Sequence, residues 1–226
     1  MGIVELQQVS RHFTKGRQTV EVLDNIDLTI EEGDFLALMG PSGSGKTTLL
    51  NLIGGLDQPT SGSVEVAGQQ LVGLSSRKLA QWRSRNIGFI FQFYNLLPIL
   101  SARRNVELPL LLTRLGGRQR KRNADVALTI VGLADRARHK PGELSGGQQQ
   151  RVAIARAIVA DPRILVCDEP TGDLDRETAD EILDLLELLN REHGKTIIMV
   201  THDPKAASHA RHTLYLDKGN LVREAA

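Results

Sequence analysis

The sequence predicts an α/β fold with a mostly parallel sheet covered on both faces, an antiparallel β-rich N-terminal part, and a helical subdomain inserted into the core. Three observations carry this. The stretch Gly40 to Thr48 lies between a continuous apolar run, Phe35 to Met39, and a helical run, Thr47 to Ile53, in the order strand, loop, helix. Strand-like and helix-like runs alternate again from Gln148 to Leu216, whereas between Phe93 and Gly142 strand signals fade and helical runs replace them. A chain of 226 residues suits one domain. Residues 1–92 and 143–226 are expected to form its α/β core and 93–142 the inserted helical subdomain.

In chain order, Ile3 to Phe13 and Val20 to Ile30 are β-like and, with no helix between them, are expected to pair antiparallel. After the first helix, Pro59-Thr60-Ser61-Gly62 is a turn, Ser63 to Ala67 a short strand, Leu74 to Arg83 a helix and Asn86 to Phe91 a strand ending at Gln92. The insertion offers helices over Ala102 to Leu112, kinked at Pro109, and over Arg120 to Val131. Helix Gln148 to Ala160, strand Arg163 to Cys167 and amphipathic helix Arg176 to Asn190 follow, then strands Thr196 to Val200 and Thr213 to Leu216.

The chemistry begins in the loop Gly40-Pro41-Ser42-Gly43-Ser44-Gly45-Lys46-Thr47-Thr48, which matches G-x-x-x-x-G-K-[ST] at every fixed position. A helix N-terminus offers unpaired N–H groups and a positive dipole end to a polyphosphate, and glycines let the backbone come close. Lys46 supplies a point charge for the β and γ phosphates, and the Thr47 hydroxyl a hard oxygen for Mg²⁺. The core is therefore expected to be a phosphate-loop NTPase core that binds a nucleotide and Mg²⁺. Asp168 and Glu169 close the apolar run Ile164 to Cys167 at a strand's carboxyl end, where ligands of open α/β sheets gather. Successive side chains there point apart, so Asp168 can reach a metal while Glu169 faces a nucleophilic water.

A third constellation, Leu144-Ser145-Gly146-Gly147-Gln148, opens a helix. Ser145 and Gln148 make a capping box, which is a purely structural reading. Two consecutive glycines weaken a helix start, and they make sense if a phosphate comes close to the backbone there. His202 follows the strand Thr196 to Val200 at the same expected ligand edge, and Phe13 closes the first strand with a ring that can stack on adenine or pack as a strand-end core residue. His209 and His212 have no comparable setting.

These motifs stand in the order of the ATP-binding cassette family, which the chain resembles over essentially its whole length. The Leu-Ser-Gly-Gly-Gln signature is specific to that family among phosphate-loop ATPases. Gly88-Phe-Ile-Phe-Gln92-Phe-Tyr-Asn-Leu-Leu-Pro98 and Thr171-Gly-Asp-Leu-Asp175 resemble the branch of lipoprotein-releasing and macrolide-exporting ATPases. The resemblance implies two cassettes pairing head to tail as a homodimer on ATP, with Ser145, Gly146, Gly147 and Gln148 of one chain facing the phosphate loop of the other. It implies Glu169 as general base, His202 on the γ-phosphate, Gln92 beside the metal and water, and Asp175 at the dimer seam. The family's adenine-stacking residue is commonly tyrosine, which leaves Phe13 or His12 for that place. It also implies an ATPase subunit docked on an integral-membrane transporter subunit; the apolar Phe93, Tyr94, Leu96 and Leu97 are the candidate docking surface, with packing inside the subdomain as the other reading. The alternative is a soluble cassette serving assembly or cell-division signalling.

Composition limits the partners. Formal net charge is +1, so no global field draws the protein to nucleic acid, and no nucleic-acid partner is expected. The basic run Arg118 to Arg122 has no aromatics between its charges and reads as a solvated helix start. A single cysteine, Cys167, excludes an internal disulfide and suits a reducing compartment. No apolar run approaches the ~20 residues that cross a bilayer. The expected location is cytoplasmic, peripheral on the cytoplasmic face of the inner membrane.

Overall fold

Alternation of side chains along three apolar strands builds the centre of the molecule, which a computed structural model describes over residues 2–16 and 18–222. On β3 (Phe35–Met39), Phe35, Ala37 and Met39 enter one core cluster while Leu36 and Leu38 enter a second, on the opposite face of the sheet. The same division separates Leu165 and Cys167 from Ile164 and Val166 on β7 (Ile164–Asp168). It also separates Ile197 and Met199 from Ile198 and Val200 on β8 (Thr196–Val200). Both faces of these strands are thus covered, as parallel sheets require.

Among the described residues, ten strands form two sheets. β1 (Val4–Lys15) and β2 (Gln18–Ile30) pair antiparallel, Val4 opposite Ile30 and Phe13 opposite Val20. With β4 (Ser61–Val66) and β5 (Gln69–Gln70) they make a four-stranded sheet of order β2-β1-β4-β5. The second sheet adds β6 (Ile87–Phe91), β9 (His212–Asp217) and β10 (Asn220–Val222) in the order β10-β9-β3-β8-β7-β6. It is parallel except for β10, which turns back antiparallel on β9.

The helices are α1 (Lys46–Ile53), α2 (Ser76–Asn86), α3 (Ala102–Glu107), α4 (Gly117–Ile130), α5 (Gly146–Ile158), α6 (Arg176–Arg191) and α7 (Pro204–Ala207). α1 lies on the face shared with the antiparallel sheet, while α5 and α6 bury Val152, Ile154, Ile182 and Leu186 on the other. α3 and α4 pack on α5, their Ala102, Val106, Ala124 and Leu128 joining that same cluster. The helix expected over Ala102 to Leu112 ends instead at Glu107 and continues as a 3-10 turn, Leu108–Leu112. Pro109 has no N–H to donate and its ring crowds the preceding turn, so a break replaces the kink. Asn105, fully buried, holds the loop ahead of α3 by accepting from Leu97 N and donating to Leu97 O, Leu100 O and Ser101 O.

Candidate functional site

β3, β7 and β8 end side by side, and the loops that leave their carboxyl ends bring the candidate residues together. α1 begins at Lys46 with Gly45 as its N-cap, in a left-handed conformation (φ 105°), and no side chain caps its first N–H groups. By contrast α5 and α6 are capped by Ser145 and Asp175. The free N–H groups of α1 are left for an anion. Gly40 is needed for packing as well: a Cβ there would stand 2.1 Å from Leu216 O on β9. The buried Lys46 ammonium donates to Gly40 O and Pro41 O, both at 2.8 Å, so the loop closes around its own cation.

Thr47 Oγ1 donates to Asp168, 3.3 Å from both Oδ1 and Oδ2. Burial raises the Asp168 carboxyl above its ordinary range, the Thr47 hydrogen bond opposes this, and the neighbouring Glu169 charge adds to it. Glu169 sits at φ 49°, its N–H donating to Val200 O at 2.9 Å, and its Oε2 lies 3.2 Å from His202 Nδ1. Gln92 and Glu169 flank Gly172, where an added Cβ would meet Gln92 Nε2 at 3.1 Å and Glu169 Oε2 at 3.4 Å. A cavity of about 410 Å³ joins Gly40, Ser42, Gly43, Gly45, Lys46, Thr47, Thr48, Glu169 and His202, with Val22 as its apolar wall.

The residues fit Mg²⁺ and a phosphate chain. Thr47 and Asp168 present hard oxygens at one point, and Ser44 Oγ is buried in the loop with no hydrogen-bond partner among the described residues.

Other candidates stand apart. Ser145, Gly146, Gly147 and Gln148 do not line this cavity, nor does Asp175. Ser145 Oγ accepts from Gln148 N at 3.3 Å while Gln148 Oε1 accepts from Ser145 N at 3.0 Å, so the capping box is formed. The glycines also have a packing cause within the chain, beside the argument from phosphate approach. A Cβ on Gly146 would lie 2.8 Å from Tyr94 Oη, and one on Gly147 only 2.2 Å from Thr178 Cγ2. Asp175 Oδ2 accepts from Thr178 Oγ1 at 2.7 Å and its Oδ1 from Thr178 N at 3.0 Å, bonds that hold its carboxyl below the usual range.

Phe13 lies outside the cavity, exposed, with the Arg11 guanidinium 4.3 Å from its ring centroid. His12 is committed to Glu21 at 2.9 Å, which leaves Phe13 the freer ring. Of the candidate docking residues, Phe93 and Leu97 are exposed and Ile99 joins them, whereas Leu96 packs on the core and Tyr94 is half-buried. His209, given no setting by the sequence, faces Glu187 at 3.5 Å, but that carboxylate also takes Arg191 at 3.2 Å. Val22 carries no motif, and only alternation along β2 could have singled it out.

A model of the ABC transporter family matches residues 23–172. The chain belongs to the ABC transporter family. The ABC cassette is 46% identical over 222 residues to the lipoprotein-releasing system ATP-binding protein LolD of Geobacter metallireducens, covering 98% of this chain and 99% of that one. It is 47% identical to the macrolide export ATP-binding/permease protein MacB of Rhodopseudomonas palustris, matching 98% of this chain but 34% of MacB, whose length is mostly outside the match. Among solved structures, a dimeric post-hydrolysis state of the ATP-binding cassette MJ0796 bound to ADP and Pi superposes with a TM-score of 0.88, at 42% identity and 99% coverage of both chains. The ABC cassette is thus an ATP-binding subunit of the transporter type rather than a soluble non-transport relative.

Proposed function

We propose that the cassette hydrolyses ATP with Mg²⁺ and that two copies close head to tail on the nucleotide to drive an integral-membrane partner. The convergence of Lys46, Thr47, Asp168, Glu169 and His202 at adjoining strand ends, with Ser145 to Gln148 outside the cavity that Lys46, Thr47, Glu169 and His202 line, is the observation that carries this reading.

Lys46, Ser44 and the free N–H groups of α1 bind the β and γ phosphates; Phe13 stacks on the adenine, with Val22 beside the loop. Thr47, Asp168 and Gln92 would hold Mg²⁺, which would supply positive charge to the phosphate oxygens. Glu169 orients the attacking water and takes its proton, while His202, held by Glu169, contacts the γ-phosphate. The chain's contribution is mainly positioning and charge stabilisation, as in phosphoryl transfer generally. Ser145, Gly146, Gly147 and Gln148 meet the phosphates bound to the second copy, and Asp175 lies at the seam. Residues 93–142 act as the helical subdomain, with Phe93, Leu97 and Ile99 facing a membrane partner on the cytoplasmic side of the membrane.

Glu169→Gln keeps the side chain's size and removes its basicity. The expected result is retained ATP binding, turnover lower by about 100-fold or more, and a dimer trapped on ATP. Near-normal turnover would refute Glu169 as the base. Co-purification with an integral-membrane protein tests the docking half of the reading, and its consistent absence would overturn it.

A further inference from the structure

Helix α5 opens at Ser145, but its buried face reaches the two loops that carry Gln92 and Glu169. Gln150 is fully buried on that helix, and its Nε2 donates to Phe91 O at 3.3 Å and to Pro170 O at 2.5 Å. Phe91 immediately precedes Gln92, and Pro170 immediately follows Glu169. The β6–β7 ladder has its last pair at Phe91 and Asp168, so the two chains separate just where these residues begin. Gln150 spans the gap that the ladder leaves.

Two further contacts bear on the same segment. Arg156, farther along α5, donates to Asn95 O at 2.5 Å and to Tyr94 O at 2.8 Å, so α5 grips the chain on both sides of Gln92. Gln150 Oε1, meanwhile, is buried without a hydrogen-bond partner among the described residues. An apolar side chain of similar length would fill the space without that penalty. What the amide adds is the tie between the two loops.

We propose that Gln150 is a positioning residue for ATP hydrolysis, fixing the Gln92 loop against the Glu169 loop so that a displacement of α5 at its Ser145 end reaches both. This rests on the roles given above to Glu169 and Gln92.

Gln150→Met in the full chain removes both donated bonds with little change in volume. The expected result is a kcat lower by about tenfold with KM for ATP within about twofold. Amide hydrogen exchange is expected to speed up in residues 91–95 and 169–172 and to stay unchanged in α1. In a Gln92→Ala background the same substitution is expected to cost less than about twofold more, because the loop it holds no longer carries the amide. Wild-type kcat, unchanged exchange in both loops, or a full additive loss in that background would overturn the proposal. If the Met variant fails to fold, Gln150→Asn, which keeps a buried amide but falls short of the carbonyls, is read by the same exchange measurement. Should Glu169→Gln hydrolyse ATP normally, the base assignment falls, while the exchange result still decides whether Gln150 ties the loops.

Discussion

Thr178 and Gly147 lock α6 to α5: the Thr178 methyl occupies the place where a side chain on Gly147 would begin, 2.2 Å from the position of its Cβ. Gly147→Ala is therefore expected to force the two helices apart at the cap of α5, at a cost of about 1–3 kcal/mol for overpacking. Thr178→Ser removes the methyl and keeps the hydroxyl that Asp175 accepts. Adding it to Gly147→Ala is expected to restore most of the lost stability. Thermal or urea unfolding of the single and double variants measures both steps; a Gly147→Ala protein as stable as wild type would show that the contact is not limiting.

Lys46→Ala deletes the cation at the centre of the phosphate loop and leaves Gly40 O and Pro41 O without its ammonium. ATP affinity is expected to fall by about 100-fold or more, by analogy with losing a desolvated charge pair. Titration calorimetry checks it, and unchanged affinity would refute the cradle.

Asp168 carries a pH signature. Burial raises its carboxyl above the ordinary 3.8, so the folded chain holds this proton more tightly than the unfolded chain. That contribution to stability is full below the unfolded value and is lost as pH rises through the raised folded value. At neutral pH the ionised group therefore works against the nucleotide-free fold. Asp168→Asn is expected to raise the melting temperature at neutral pH without nucleotide, a gain that disappears in acid, and to abolish further stabilisation by Mg²⁺ with ATP. Melting curves across pH, with and without nucleotide, show whether the sign is right.

Cys167 is fully buried on β7, and its thiol is pushed far up, first by burial and then by the Asp168 charge. Maleimide labelling of the folded protein is expected to be negligible and to follow the rate of unfolding in denaturant. Fast labelling under native conditions would contradict the placement of β7.

The central strands were legible because they are short apolar runs bounded by turns: β3 and β8 have the limits the sequence predicts, and β7 is displaced by one residue. β5 is two glutamines and β10 only Asn220-Leu221-Val222, both too short to show a period, and they exist because a neighbouring strand offers an edge. Within the site, Thr47, Asp168, Glu169 and His202 were each legible in the sequence, whereas the contacts of Thr47 with Asp168 and of Glu169 with His202 are seen only in the fold. The reasons for Gly146 and Gly147 were not, since Tyr94 and Thr178 meet them only after folding. Gln150 was hidden for the same cause: a glutamine among glutamines shows nothing until its amide is seen between two loops.

The left-handed backbone at Glu169 (φ 49°) is a conformation that residues with a Cβ enter at some energetic cost and glycine enters freely. Selection for heat resistance alone would find relief at this position by replacing the carboxylate with glycine. A thermostability screen of this protein run without an ATP-turnover filter is therefore expected to enrich for dead variants here, so any engineering for robustness has to hold this codon fixed.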